Sequence, residues 1–258
     1  SPDAWSVSGR GELHLAILIE TMRREGYELQ VSQPEVIFRE IEGQRCEPFE
    51  VLTLEVPEEY LGPCVELLGR RRGEMQNMNY LPNGEVQVEF LIPTRGLIGI
   101  RTDLMTETKG TAVMNSVFAG YKPVAGPIQS ARGGSLVATE TGQSTPFGLS
   151  NAEQRGKLFI GPVVDVYEGM IVGQHSREGD LDVNVCKKKH LTNMRSSTAD
   201  EGIRLTPPTE MSLDRALEYI GPDDLVEVTP KSIRMRKRTL DKTQRRREEK
   251  NAELAGIR

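Results

Sequence analysis

The dipeptide Asn83-Gly84 constrains the fold more than any other feature of this sequence. Both residues tolerate a positive φ, and they separate two strand-like segments, residues 75–80 and 85–91. Two such segments joined by Asn-Gly are typical of a β-hairpin with a tight turn. The second segment alternates apolar and polar side chains, so one of its faces is expected to be buried. The sequence therefore predicts an antiparallel pair of strands in the first half of the chain.

The segments on either side of this hairpin complete a regular order of elements. Residues 49–56 have the pattern of a strand, and Pro57 fits the first position of a helix, where a missing N–H loses no partner. Residues 93–108 include a second helix, and residues 111–118 supply the last strand. The resulting order, β-α-β-β-α-β, predicts a ferredoxin-like unit of the α+β class. Such units bind RNA in some families and are scaffolds in others, so the fold alone does not determine a function.

Two further regions flank this unit. Residues 11–24 have helical periodicity and precede an alternating segment, residues 27–31, which is too little to close a core. Beyond residue 121, a linker rich in Pro and Gly leads to short strands, a short helix and a charged terminal helix. This mixed, mainly β region matches no common fold. The predicted domains are residues 1–43, 44–121 and 122–258.

The distribution of charge is more informative than the net charge of −5. Residues 231–258 carry 11 basic and 4 acidic side chains, whereas the rest of the chain has a net charge of −12. An acidic body with a basic tail often contacts a polyanion. A solvated helix with no ligand is the alternative explanation of the same tail.

Other signals argue against several kinds of site and compartment. The segment Arg155-Gly156-Lys157-Leu158 lacks the first Gly and the final Ser or Thr of a phosphate-binding loop. The three histidines have no Cys or carboxylate at zinc-ligand spacing, so we expect no catalytic site, metal site or cofactor in this chain. The three widely separated cysteines indicate a reducing, cytoplasmic compartment. No segment approaches the roughly 20 apolar residues of a membrane helix, so no membrane partner is expected.

Residues 173–195 are the main candidate for contact with RNA. A polar segment containing glycines leads through an alternating stretch to three adjacent lysines. Lysines neutralise phosphates with release of counterions, and amides can address bases or riboses. An exposed loop without a ligand is the alternative. The candidate RNA-binding residues of this loop are His175, Arg177, Lys187, Lys188, Lys189, His190, Asn193 and Arg195.

The basic tail is a second candidate. In a strand, Arg234, Arg236 and Arg238 would project on one face, which suits a phosphate backbone. The alternative is that they face acidic residues of the chain's own body. Another basic run, residues 70–72, ends the first helix of the ferredoxin-like unit, where positive charge complements the helix dipole. For that run we favour a structural role over contact with RNA.

Several motifs resemble those of translational GTPases. Residues 8–15, Ser-Gly-Arg-Gly-Glu-Leu-His-Leu, are similar to the helix start of domain III in the elongation factor G group. Residues 34–40 are similar to the P-x-V-x-Y-R-E run that ends that domain, with Phe38 in place of Tyr. Residues 93–99, Pro-Thr-Arg-Gly-Leu-Ile-Gly, resemble the BipA/TypA form of a turn in domain V. Three further segments resemble BipA/TypA proteins specifically: residues 133–137, 168–173 and 205–208.

This resemblance to the BipA/TypA family covers nearly the whole chain and implies a domain organisation. Residues 1–43 would be part of a domain III that lacks its first β-α-β unit. Residues 44–121 would be the ferredoxin-like domain V, and residues 122–258 a C-terminal domain specific to the family. The remaining domain III helix would expose an apolar face and favour self-association.

The resemblance also implies a function. The chain would be the ribosome-binding and RNA-binding C-terminal portion of a translational GTPase, docking at the factor site of the 70S ribosome. It would contact A-site tRNA and 23S rRNA, and members are linked to large-subunit assembly and to stress or cold adaptation. GTP and Mg²⁺ would bind to a domain outside this chain. The alternative is a protein-interaction scaffold that docks ribosomal proteins without direct RNA contact.

Overall fold

The computed structural model describes residues 4–128, 133–188 and 203–254. Contacts divide the chain into a central unit, Pro34–Ala131, and a C-terminal unit that combines Ser1–Gln33 with Arg132–Arg258. The helices are α1 (Glu12–Arg24), α2 (Leu61–Arg70), α3 (Thr94–Leu97), α4 (Ile100–Glu107), α5 (Pro146–Glu153), α6 (Leu213–Tyr219) and α7 (Lys242–Leu254), with a 3-10 turn at Glu58–Tyr60. The strands are β1 (Leu29–Ser32), β2 (Arg39–Ile41), β3 (Gln44–Pro57), β4 (Glu74–Tyr80), β5 (Glu85–Pro93), β6 (Val113–Pro123), β7 (Ser135–Ala138), β8 (Gly142–Gln143), β9 (Gly156–Leu158), β10 (Asp165–Val166), β11 (Met170–His175), β12 (Leu181–Val183), β13 (Asp224–Val228) and β14 (Ile233–Lys237).

The central unit is an antiparallel sheet with helices packed against one face. Its main strand order is β4-β5-β3-β6, and β2 pairs with the first residues of β3. Helix α2 connects β3 to β4, and α3 and α4 connect β5 to β6. The predicted β-α-β-β-α-β order and the α+β class are therefore confirmed.

Alternating side chains decide which face of this sheet is buried. On β5, Val86, Val88 and Phe90 lie in the core between half-buried polar residues. They pack in one cluster with Leu68 of α2 and Leu104 of α4. Burial of an apolar side chain of this size stabilises the fold by about 1.5–3 kcal/mol. The period-two pattern that predicted the strand is thus also the pattern that holds the helices on the sheet.

The opposite face of the central sheet carries carboxylates, amides and small apolar groups. We call this the open sheet face. Register pairs across β4, β5, β3 and β6 place on it Glu74, Leu91, Val51 and Val117, then Asn77, Glu89, Thr53 and Asn115, then Asn79, Gln87, Glu55 and Val113. None of these positions is Lys or Arg, so the face is acidic.

Arginine side chains of the central unit donate hydrogen bonds to backbone carbonyls. Arg71 donates to the carbonyl oxygens of Gly96 at 3.2 Å and Ile98 at 2.6 Å, and pairs with Asp103 at 2.6 Å. Arg72 donates to a backbone carbonyl at 3.0 Å. These contacts support the structural role predicted for the basic run at residues 70–72.

A second arginine contact anchors the chain that follows β6. The carboxylate of Glu47 is fully buried and pairs with Arg95, whose Nη2 lies 3.1 Å from one carboxylate oxygen. Glu47 also accepts a hydrogen bond from the backbone N–H of Ala125 at 2.8 Å, and Arg95 donates to the carbonyl of Gly126. Because the carboxylate has a charged partner and a backbone donor, its burial is compensated.

The C-terminal unit is built on a larger mixed sheet. Its strand order is β1-β13-β14-β11-β7-β12, with β9 also paired to β11, and β12 runs parallel to β7. The short strands β8 and β10 form a separate pair. One apolar cluster lies between this sheet, α1 and α6, and a second lies around β7, α5 and β11.

The N-terminal helix and strand belong by contact to the C-terminal unit. Strand β1 pairs with β13 from Leu29 opposite Val228 onward. Ala16 and Ile19 of α1 are buried in the cluster around α6. Within the described residues, 4–33 thus pack with the C-terminal region, whereas β2 pairs with β3 in the central unit. The domain boundaries at 43 and 121 remain a prediction.

One part of α1 is exposed. Leu13 and Ile17 have 69% and 57% of their surface exposed, and their spacing places them on one face of the helix. The expected exposed apolar face is therefore present, and self-association through it remains a prediction. Among the described residues, no helix is both long and apolar enough to cross a membrane.

Candidate nucleic-acid interface

Strand β7 organises the predicted RNA-binding loop. β11 pairs antiparallel on one side of β7, so the end of β11, with its last residue His175 and Arg177 just beyond it, lies beside the start of β7. β12 pairs parallel on the other side and continues past the end of β7 towards Lys187 and Lys188. Of the predicted loop residues, those that the structure describes therefore form two groups at opposite ends of β7.

The first group is held by close backbone contacts. His175 donates its backbone N–H to the Gly134 carbonyl at 2.7 Å, and Gly134 donates to the Arg177 carbonyl at 2.9 Å. The His175 Nδ1 lies 2.8 Å from the Gly179 carbonyl, which can only accept, so Nδ1 carries the proton. A Cβ at position 134 would lie 1.6 Å from the Gly179 oxygen, so only glycine fits there. The Arg177 side chain is exposed.

Two further cations join this group that the sequence did not identify as site residues. Arg155 and Lys157 are exposed, and β9 places Lys157 opposite Gln174 of β11. Ser176 donates both its N–H and its hydroxyl to the Arg155 carbonyl at 2.9 Å. The basic residues at positions 155–158 were visible in the sequence. Their position beside β11 could not be predicted, because β9 has only three residues and its partner strand is not adjacent in sequence.

The second group is attached to the start of α5. Thr145 caps this helix by accepting the Gly148 N–H at 3.0 Å, and its hydroxyl donates to the Lys187 carbonyl at 2.5 Å. The Thr145 N–H donates to the Val185 carbonyl at 2.9 Å. The side chains of Lys187 and Lys188 are exposed. Lys189, His190, Asn193 and Arg195 lie outside the described residues.

The three arginines of β14 and its end are not equivalent. Arg234 and Arg238 are exposed. Arg236 is 14% exposed, pairs with Glu227 at 2.9 Å and donates to the Gln30 side chain at 2.8 Å. The alternative of an internal acidic partner thus applies to Arg236, because the neighbouring strand β13 presents Glu227 beside it. Any RNA contact of these three residues remains a prediction.

Tyr167 belongs to the same internal network. Its hydroxyl donates to Glu227 at 2.6 Å. Burial and this hydrogen bond to a carboxylate both raise the pKa of Tyr167, so the phenol stays protonated and remains a donor.

Other cations of the basic tail are used for packing. Lys237 is 9% exposed and pairs with Asp180 and, at 2.7 Å, with Asp224. Burial opposes its charge, but the two carboxylates outweigh burial and raise the pKa of Lys237. Asp182 similarly anchors α7 through Arg245 at 3.0 Å. Much of the tail's charge is therefore neutralised within the C-terminal unit.

The described residues contain no group of three or more His, Cys, Asp or Glu side chains that could hold a metal ion. The candidate site therefore consists of exposed cations at the two ends of α5. Such cations bind phosphates without reading sequence.

Comparison with known proteins identifies relatives of both units. Residues 133–242 match the TypA/BipA C-terminal domain, and residues 44–132 match the elongation factor G C-terminus. The chain is 56% identical over 237 residues to the large ribosomal subunit assembly factor BipA of Synechocystis, covering 92% of this chain and 40% of that protein. It is 50% identical to the protein of the same name from Bacillus subtilis, over 100% of this chain and 42% of the relative. The corresponding Salmonella typhimurium protein is 51% identical, over 95% of this chain and 40% of the relative.

The chain thus spans less than half the length of these relatives. The two matched segments cover most of the central unit and most of the second half of the chain, and the identity to the relatives continues through both. On this evidence the chain belongs to the TypA/BipA family.

Proposed function

We propose that this chain is the ribosome-docking portion of a factor for large ribosomal subunit assembly, and that its C-terminal unit contacts RNA. The observation that carries the proposal is the pair of exposed cation groups, Arg155, Lys157 and Arg177 at one end of α5 and Lys187 and Lys188 at the other. The relatives are named large ribosomal subunit assembly factors, and this name supplies the ribosomal context.

The proposed mechanism is electrostatic docking. Lysine and arginine side chains displace counterions from RNA phosphates, and the release of those ions drives binding. The targets would be 23S rRNA and the A-site tRNA on the 70S ribosome, in the cytoplasm, with a link to stress or cold adaptation. GTP and Mg²⁺ would be bound by a domain outside this chain, and hydrolysis there would control the time spent on the ribosome.

Removal of the second cation group tests this proposal. The double variant Lys187→Ala/Lys188→Ala should bind 70S ribosomes more weakly, because two phosphate contacts are lost. The slope of log affinity against log salt should fall by about 1.4 for two contacts with single-stranded RNA. Affinity measured by co-sedimentation across a salt series gives both quantities.

A matched control removes two other exposed cations of the same unit. Arg215 lies on α6 and Lys231 in the turn between β13 and β14, and both are exposed. Arg215→Ala/Lys231→Ala changes the net charge by the same amount and should leave the salt slope unchanged. Equal slopes for both double variants would contradict a specific role for the α5 region.

A protein-interaction scaffold is the second candidate. The open sheet face favours it, because a surface with Glu55, Glu74 and Glu89 and no cation repels RNA and suits a basic protein. The scaffold alone predicts that ribosome binding survives loss of the α5 cations. It also predicts that Val113→Lys/Val117→Lys, which places two cations on the exposed edge strand β6 of this acidic face, weakens binding.

A further inference from the structure

The solvent-facing side of α5 connects the two cation groups. This helix buries Gly148, Leu149 and Ala152, whereas Asn151 and the C-cap residue Gln154, which continues the helical backbone, are exposed. Their spacing of three residues places the two amides on the same helix face. The helix has 8 residues, so it is about 12 Å long. It therefore presents neutral hydrogen-bonding groups between positive charges at its two ends.

We propose that this face is the seat of one RNA strand, with Arg155 and Lys157 holding its phosphates and Asn151 and Gln154 holding its ribose hydroxyls. We call these four residues the α5 strip. The proposal rests on the proposed RNA contact of the C-terminal unit and specifies where and how that contact is made.

The acidic residue of α5 reduces the positive charge of this region but does not cancel it. Glu153 accepts the backbone N–H of Thr206 at 2.8 Å. Hydrogen bonds from the Thr206 side chain and backbone lower the pKa of Glu153, so its carboxylate stays ionised. Arg155 and Lys157 outnumber this one carboxylate, so the C-terminal end of the helix keeps a net positive charge.

The backbone that carries the two cations is closely packed. A Cβ on Gly156 would lie 1.8 Å from the Gln174 carbonyl, so β9 packs directly on β11 with no side chain between them. Ser176 further fixes the carbonyl of Arg155. Because the backbone at Arg155 and Lys157 is already ordered, binding needs to order only their side chains, which costs less conformational freedom than ordering a loop as well.

The amides give the strip a chemical preference. A carboxamide both donates and accepts hydrogen bonds, and so does the ribose 2′-hydroxyl. A DNA strand has the phosphates but lacks that hydroxyl. The strip should therefore bind RNA more tightly than DNA of the same sequence, with the difference due to Asn151 and Gln154.

Two double variants test the strip by fluorescence anisotropy with a short single-stranded RNA and the DNA of the same sequence. Arg155→Ala/Lys157→Ala should weaken binding of both probes roughly tenfold at low salt and lower the salt slope by about 1.4. Asn151→Ala/Gln154→Ala should weaken RNA binding about fivefold and leave DNA binding unchanged.

The outcomes separate this inference from the proposed function. Arg215→Ala/Lys231→Ala is the control, and circular dichroism checks that every variant is folded. If the unmodified chain binds RNA and both strip variants bind it equally well, the α5 strip is not the RNA site. The proposed RNA contact of the C-terminal unit would then remain. If Asn151→Ala/Gln154→Ala weakens both probes alike, the amides do not read the 2′-hydroxyl. If the unmodified chain binds neither RNA nor ribosomes, both proposals fail.

Discussion

In the central unit, Arg71 and Arg95 point inward to backbone carbonyls and carboxylates, whereas in the C-terminal unit Arg155, Lys157 and Arg177 are exposed around one end of α5. The C-terminal unit thus contains both kinds of cation, because its Arg236 and Arg245 also pair internally whereas the cations around the end of α5 are exposed. An arginine with a carboxylate or carbonyl within hydrogen-bonding distance stabilises the fold, whereas an exposed arginine can bind a polyanion. Neither the net charge nor a run of basic residues in the sequence shows which of the two applies.

The largest expected effect comes from breaking an internal pair of the central unit. Arg95→Ala leaves the fully buried Glu47 carboxylate without its cation. Removing one partner of a buried ion pair costs about 3–5 kcal/mol. Urea unfolding followed by circular dichroism should show this loss in the transition of the central unit.

The control for that prediction is Arg101→Ala, which removes an exposed arginine of α4. Its effect on stability should stay within about 0.5 kcal/mol. A similar loss for both variants would mean that burial of Glu47 does not set the cost. RNA affinity of Arg95→Ala, measured below its unfolding transition, should match that of the unmodified chain.

The sequence predicts a unit well when the residues that interact are close together in the sequence. The central unit was predicted well because its signals are local: Asn83-Gly84 sets a turn, and alternation on β5 sets the buried face. The large sheet of the C-terminal unit was not predicted. It joins β1 to β13 and β9 to β11, and two- or three-residue strands carry no periodicity of their own.

The candidate site shows the same limit. The lysines at 187 and 188 were visible as a basic run, but their separation from Arg177 depends on the opposite directions of β11 and β12 beside β7. Strand alternation predicted one shared face for Arg234, Arg236 and Arg238 but left open whether that face meets RNA or acidic residues of the chain. The contact of Arg236 with Glu227 depends on a cross-strand neighbour. Such contacts follow from register, which the sequence of one strand does not specify.

Two glycine-to-alanine substitutions, one in each unit, should change stability in opposite directions. Gly156→Ala would place a Cβ 1.8 Å from the Gln174 carbonyl, so β9 must move away from β11. Overpacking of this kind costs about 1–3 kcal/mol. In α2, Gly69→Ala meets no atom within 4 Å and should stabilise the central unit by about 0.5–1 kcal/mol.

Thermal unfolding of both variants measures these changes in stability. RNA binding by the Gly156 variant provides a second measurement. Gly156→Ala should also weaken RNA affinity, because Arg155 and Lys157 move with β9. A destabilised variant with unchanged RNA affinity would separate the packing of β9 from the α5 strip. Stabilisation by Gly156→Ala would contradict the close approach of the two strands.

A smaller, pH-dependent effect is expected in α1. Hydrogen bonds from Arg23 and Arg24 lower the pKa of Glu20 from 4.5 to about 2. A lowered pKa adds stability above the unfolded value of 4.5, and this stability is lost as the pH falls towards 2. The difference in thermal midpoint between the unmodified chain and Glu20→Gln should therefore shrink over that range. A difference independent of pH would contradict ionic pairing of Glu20.

The smallest expected effect tests the open sheet face of the central unit. Glu74→Gln/Glu89→Gln removes two negative charges from that face without adding a cation, and both side chains lie on strands away from the buried core. If RNA binds only through the C-terminal unit, RNA affinity should change less than about twofold at physiological salt, because salt screens exposed charges that do not contact the RNA. The same double variant should weaken binding of a lysine-rich peptide, measured by calorimetry, if this face takes a basic protein. An increase in RNA affinity as large as the loss caused by Arg155→Ala/Lys157→Ala would mean that the sheet face also lies against RNA, and the division of labour between the two units would then be wrong.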